Sequence, residues 1–420
     1  MAGVRLSVAG AGFAVALALA TTAHTQTAPI ADPTQAATQA AIQPSGKTPP
    51  PAPSPLTFSA AYTLDLLANV AGGLQQGGSA PDLLKLSVGY DGGLQGREGL
   101  SGLVSLEQTF GSSFTARDVG GLQDISLLEA PGAIRMYEAW VQQELFGGAA
   151  GVKAGFVDLN TTFDVQETAA LFVNASHGTG PDLGDTGLNG PSIYPYTALA
   201  VTGFYRPADG WTAQLGVFDA VAQDPNHRGA FVAVKFDGAL IIGQVERRFG
   251  DTARVEAGAW TYTSAFPALD QFRPNGTPQP VRGNAGAYGL VEGRLLSKGD
   301  EGQGLSGWVR LGLANGDINP VRDYLGAGLV WSGPMFGRDK DEAGVALARA
   351  GLSEGASEAG LMAGRTISGA ETVLEATYRY VLKDWLSVQP DLQYVIRPHG
   401  DDRIPNALVV GVRFSATYSR

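Results

Sequence analysis

The chain contains no cysteine, so it has neither disulfides nor a thiolate metal site. Charge is scarce too: 16% of residues are Asp, Glu, Lys or Arg, against roughly 25% in an average soluble domain. There are 29 Lys and Arg against 40 Asp and Glu, and no basic cluster, which argues against a surface that neutralises nucleic-acid phosphates. The four histidines, His24, His177, His227 and His399, stand apart and show no metal-ligand spacing. Beyond the N-terminus no run approaches the ~20 apolar residues of a membrane-spanning helix. Glycine, in contrast, is abundant, with 58 residues in a chain of 420 that is 44% hydrophobic. Gly-rich, Cys-free and charge-poor, the composition fits a β-barrel better than a cytosolic enzyme.

Arg5 is the only charge ahead of an uncharged stretch between residues 6 and 22, and the apolar centre at 12–20 has the length of a signal-peptide h-region. Thr21 and Ala23 predict cleavage after Ala23, with Ala18-Leu19-Ala20 as a second site. Residues 24–55 are mostly Ala, Gln, Thr and Pro and end in Thr48-Pro49-Pro50-Pro51-Ala52-Pro53-Ser54-Pro55. Such a segment cannot bury a core and is expected to be a disordered linker, either a plain spacer or an envelope tether. The expected division is a signal peptide at 1–23, the linker at 24–55 and one domain at 56–420.

The rest of the chain is a series of roughly ten-residue segments of alternating character, the pattern of an outer-membrane barrel. In the last, Leu408, Val410, Val412, Phe414, Ala416 and Tyr418 share one face, with Gly411, Arg413, Ser415 and Thr417 on the other. Segment 385–397 places Leu386, Val388, Leu392, Tyr394 and Ile396 opposite Ser387, Gln389, Asp391 and Gln393. Segment 371–382 sets Leu374, Ala376, Tyr378, Tyr380 and Leu382 outward, and Glu375, Thr377 and Arg379 inward. Weaker alternation occurs at 57–68, 82–93, 98–110, 132–145, 149–158, 196–206, 210–219, 228–238, 240–249, 252–263, 285–296, 304–314, 324–333 and 342–351. That makes about seventeen segments; single-chain barrels have even numbers, so the expectation is an all-β, transmembrane antiparallel barrel of about sixteen strands with an aqueous lumen. A soluble sandwich or propeller also alternates. Against it, Tyr378, Tyr380, Tyr394 and Tyr418 lie on the apolar face near strand ends, where interfacial girdles sit.

Two stretches resemble the carbohydrate-selective porins of the OprB family. One runs Gly155-Phe156-Val157-Asp158-Leu159-Asn160-Thr161-Thr162-Phe163-Asp164 and on to Ala169, then Leu171-Phe172-Val173-Asn174 and Gly190-Pro191-Ser192-Ile193-Tyr194-Pro195. The other is residues 371–414, with Gln389-Pro390-Asp391-Leu392-Gln393 at its centre. With 211–219 added, the similarity spreads from about residue 130 to the end, while 56–130 matches loosely. The resemblance implies a sixteen-stranded outer-membrane barrel, a lumen narrowed by inward loops, and diffusion of glucose-like and other small sugars. Partners follow from it: small sugars, outer-membrane lipid and lipopolysaccharide, and the barrel-assembly machinery, with monomer and homotrimer both open. Outer-membrane barrels commonly end in an aromatic residue; this chain ends Tyr418-Ser419-Arg420, with Tyr418 the nearest equivalent.

Sugar transit calls for polar groups that replace water hydrogen bonds and aromatic faces that meet the C–H side of a ring. Inward parity selects Glu138, Trp140, Gln142 and Glu144, opposite Tyr137, Ala139 and Val141. It also selects Trp260 with Arg254 and Glu256, and Trp308 with Arg310. On the C-terminal strands it selects Glu375, Arg379, Gln389, Asp391 and Gln393. A one-residue slip would instead make each Trp an interface anchor. Asp158, Asn160, Asp164 and Glu167 follow a strand, where a loop folding inward would form an eyelet; alternatively they bond their own turn backbone. Arg310, Arg379 and Arg413 are expected either to face Glu292, Glu375 and Asp391 across the lumen, creating a transverse field, or to form wall ion pairs.

No nucleophile motif or phosphate loop stands out, since Gly72-Gly73, Gly92-Gly93 and Gly147-Gly148 punctuate hairpins. No enzyme activity, cofactor or metal is expected. The leading reading is passive diffusion of small sugars; the alternative is a structural barrel that tethers the envelope through its Pro-rich leader.

Overall fold

The computed structural model describes residues 54–111, 113–222, 238–298, 302–334, 337–367 and 369–420. The expected signal peptide, all but the last two linker residues, and segment 228–238 apart from Gly238 lie outside the described residues. The strands are β1 (Leu56–Ala71), β2 (Gly77–Ser79), β3 (Asp82–Asp91), β4 (Leu100–Phe110), β5 (Ala133–Leu145), β6 (Ala150–Val157), β7 (Ala198–Tyr205), β8 (Trp211–Asp219), β9 (Ala239–Phe249) and β10 (Ala253–Tyr262). They continue with β11 (Phe266–Phe272), β12 (Pro278–Val281), β13 (Ala285–Ser297), β14 (Gly304–Ala314), β15 (Val321–Ser332), β16 (Glu342–Leu352), β17 (Ala370–Lys383), β18 (Leu386–Ile396) and β19 (Ala407–Ser419).

Sixteen of these, β1, β3 to β10 and β13 to β19, pair antiparallel in sequence order, and β1 returns to β19 to close the barrel. Short β2 continues the line of β3 along β1, and β11 pairs β12 in a separate hairpin. Closure brings Asp65 directly opposite Arg413, and their side chains meet inside the wall through two 2.7 Å hydrogen bonds. Sixteen of the predicted segments coincide with these strands, with edges shifted by a few residues. Asp384 and Trp385 alone join β17 to β18, whereas loops of 111–132, 158–197 and 353–369 project from the opposite end. Long loops mark the extracellular side of such barrels.

The alternation survives as two surfaces. Leu215, Val255, Val291, Leu311, Leu313 and Val345 are exposed on the outside, while polar residues of the same strands such as Arg254, Glu256, Glu292 and Arg310 are buried inside. Phe58, Tyr205, Trp211, Phe249, Trp385 and Tyr418 are exposed near the short-turn end, as an interfacial girdle requires. Arg247 lies outside over the rings of Trp211 and Phe249, at 5.3 and 5.4 Å, its stem on apolar surface.

Glycine supplies slots for the inward aromatics. Trp308 on β14 is paired with Gly328 on β15, and a Cβ at Gly328 would come within 2.1 Å of the indole. Trp260 lies over Gly286 in the same way, at 2.4 Å. The apolar core therefore forms inside the barrel, where loop residues Leu159, Phe163 and Leu183 pack on Phe218, Leu240, Ile242, Trp260 and Tyr288 of the wall. Gly328→Ala is expected to destabilise the barrel by ~1–3 kcal/mol, as overpacking does. Gly89→Ala, whose added Cβ meets nothing nearer than 3.9 Å, should be neutral. Urea titration of the refolded barrel in detergent compares them, and equal midpoints for both variants would contradict the slot.

Candidate functional site

The long β6–β7 loop, residues 158–197, turns into the barrel and is held there by inward side chains of the wall. Arg310 on β14 is the main anchor. Its guanidinium bonds both Asp164 oxygens at 2.8 Å and reaches Asp182, and all three side chains are fully buried. Tyr288 and Tyr324 flank it, with ring centres 5.5 and 5.2 Å away. Burial lifts the Asp164 carboxyl to about 6, against the pull of Arg310.

Further anchors follow the loop around the lumen. Gln244 on β9 accepts from Asp164 N–H at 3.0 Å and from the Tyr288 hydroxyl at 2.5 Å. Glu292 on β13 accepts the N–H groups of Glu167 and Thr168, at 3.1 and 2.7 Å, and pairs with Arg254. Glu375 on β17 accepts the N–H groups of Val173 and Asn174, at 2.6 and 3.1 Å. Gln389 donates to Leu171 C=O at 2.7 Å, and Gln393 accepts from the Asn174 amide at 3.0 Å. Trp308 packs on Phe172, with ring centres 5.1 Å apart.

A second loop, 111–132, is also drawn in. Glu371 accepts the N–H groups of Leu122 and Gln123, Ser126 donates to Asp65, and Gln393 donates to Ile125 C=O. Asp124 of this loop and Asp185 of the longer one both keep exposed surface. Enclosure by the protein, with Glu371 and Asp182 near, pushes Asp185 up to about 7. Asp124 is likewise raised, by enclosure and by Glu129, Asp185 and Glu371.

Parity identified the inward residues, but inward is not the same as lumen-exposed. Glu138, Asp158, Asp164, Trp260, Trp308, Arg310, Glu375, Gln389, Asp391 and Gln393 are all buried. Trp140, Gln142 and Asn160 are partly accessible, and Glu167 and Arg379 more so. Trp140 donates to Glu138 at 3.2 Å and carries the Lys153 ammonium 4.5 Å over its ring. Asp158 caps its own turn through Asn160 N–H at 2.9 Å and accepts the Tyr137 hydroxyl at 2.5 Å.

One expectation needs correction. Tyr137 faces inward, because a bulge opposite Ser105 and Leu106 moves β5 by one residue and exchanges its faces. Of the two arrangements expected for the arginines, wall ion pairs hold for Arg379 and Arg413. Arg310 takes the loop's Asp164 and Asp182, while Arg379 and Arg413 pair with Glu342 and Asp65 on adjacent strands. Sequence reading missed Asp182, Gln244, Tyr288, Tyr324 and the inward turn of 111–132. Inward parity was the available signal for the three wall residues, and loop length for the second loop.

Arg310→Ala would leave two buried carboxylates without a counter-charge, which costs ~3–5 kcal/mol. The strand ladders do not depend on that contact, so the loop should detach while the barrel stays folded. Single-channel conductance in KCl is expected to rise roughly twofold. An unchanged conductance in a folded variant would contradict the clamp.

Residues 92–418 match the carbohydrate-selective porin, OprB family. Porin B of Pseudomonas aeruginosa is 24% identical over 315 residues, covering 68% of each chain. The high-pH structure of Pseudomonas putida OprB superposes with a TM-score of 0.79 at 19% identity, over 86% of this chain and 94% of that one. The low-pH structure of the same protein gives a TM-score of 0.54 at 16% identity, over 86% and 92%. These two structures share the fold described above. A barrel closed on sixteen strands, narrowed by a clamped inward loop and matched over most of its length, belongs to the carbohydrate-selective porin family OprB, whose members are sugar porins of the bacterial outer membrane.

Proposed function

We propose that the chain passes glucose-sized sugars by diffusion through the gap between its inward loops and the opposite wall, with no catalytic step. One observation carries this reading: the loop at 158–197 is tied to wall strands β9, β13, β14, β15, β17 and β18 by buried and partly buried hydrogen bonds, which hold it inside the lumen. A fixed constriction selects by size and by surface, and its surface is polar with an aromatic component.

Within that reading the expected site residues divide into two groups. Trp140, Gln142, Asn160, Glu167 and Arg379 keep accessible surface and meet the sugar. Glu138, Asp158, Asp164, Trp260, Trp308, Arg310, Glu375, Gln389, Asp391 and Gln393 shape the passage by holding loop and wall together. Export through a cleaved signal peptide at 1–23, a linker at 24–55, delivery by the barrel-assembly machinery and contact with lipopolysaccharide complete the proposal.

Liposomes carrying the mature protein should swell faster in iso-osmotic glucose than empty ones, and Trp140→Ala should weaken any saturable glucose inhibition of ion current by roughly fivefold, about 1 kcal/mol. Swelling no faster than in empty liposomes would reject the transport reading. Unchanged inhibition in the Trp140 variant would remove Trp140 from the sugar path.

A further inference from the structure

At the extracellular mouth, four loops line an open cavity of about 590 Å³. Its apolar sides are Leu74 and Ile404, and its polar side carries Arg365, Arg403, His399 and Asp401. Ala116, Gly120 and Gly121 of the second inward loop form the remaining side.

The cavity is built by specific ties. Asp401 is buried and joins two loops by a bridge to Ile367. It accepts Arg403 N–H and Nε at 3.0 Å each and Nη2 at 2.8 Å, and it lies 3.7 Å from Arg365 Nε. Arg403 also donates to Gly364 C=O at 2.9 Å, fixing a third contact between the same loops. Beneath them, Glu371 accepts N–H groups from Leu122, Gln123 and His399, which fastens the 111–132 loop to the 397–406 loop. Arg397 and His399 hold φ angles of 53° and 55°, a left-handed geometry uncommon outside glycine that clusters at binding sites.

The charge balance of this cavity is uneven. Two guanidiniums share one carboxylate, and Glu371 is already met by three backbone donors. Arg365 has Asp401 as its only side-chain partner among the described residues, at a distance too long for a hydrogen bond, and its side chain is 39% exposed. Its fork of N–H donors therefore faces the cavity in a geometry that matches a carboxylate.

We propose that this cavity is a binding site for a sugar acid, with the carboxylate on Arg365 and Arg403 and the ring against Leu74 and Ile404. The choice of a sugar body rests on the sugar-porin reading; the choice of an anion rests on the two guanidiniums. The site holds its ligand at the rim, where it raises the local concentration of that solute.

Calorimetric titration of the full detergent-solubilised chain with glucuronate, glucose and inorganic phosphate tests the proposal. Glucuronate should bind saturably, R365Q should weaken it roughly fivefold or more, and D401N, which frees both arginines, should tighten it. R365Q should leave the glucose response unchanged. Glucuronate binding that is absent, or equal in wild type and R365Q, overturns the site. Phosphate bound as tightly as glucuronate overturns the sugar-acid assignment. Glucose swelling of liposomes is scored separately, so a failed mouth site and a failed porin reading are told apart.

Discussion

The internal architecture depends on one buried contact, the Arg310 guanidinium between Asp164 and Asp182. An unpaired arginine inside a protein is costly, and so are two unpaired carboxylates; together, with full hydrogen bonding, they become tolerable and geometrically exacting. Because Arg310 comes from the wall and both aspartates from one loop, satisfying the charges requires the loop to enter the barrel. The same contact that neutralises the lumen charge thus sets where the passage narrows. Glu292, Glu375 and Gln389 repeat this logic with backbone groups and Gln393 with the Asn174 side-chain amide, so that the loop's polar atoms find partners on strands that surround it.

A polar interior also explains the composition. Inward aromatics need room, and Gly286 and Gly328 provide it by omitting the side chain that would otherwise collide with Trp260 and Trp308. Outward positions face lipid and need only be apolar, which is why the chain is charge-poor without containing a spanning helix. Several charges among the described residues are inward and paired: Asp65 with Arg413 at the closing seam, Glu342 with Arg379, Arg254 with Glu246 and Glu292.

Strands were legible because a period of two needs only local information. The sequence placed β17, β18 and β19 with their faces correctly assigned, and Trp260 and Trp308 on the inner side. It failed at Tyr137, where the bulge depends on how β5 meets β4, a pairing that no local pattern encodes. The site was legible as a list of inward residues and opaque as a set of contacts. Arg310 finds Asp164 at a separation of 146 residues, and nothing near either one names the other. Hence residues expected to touch sugar, such as Gln389 and Gln393, instead hold the loop. The inward fold of the 158–197 loop was one of the readings open from its family-like motifs, whereas that of the second loop, lacking such motifs, was not foreseen.

The account's central claim is a water-filled passage narrowed enough to feel a single sugar. Ion current through one refolded mature protein in a planar bilayer, measured while glucose is added, addresses it directly. The account requires a steady open-channel current that glucose reduces in a saturable manner. Current that falls only in proportion to solution viscosity, or no current at all, would contradict it.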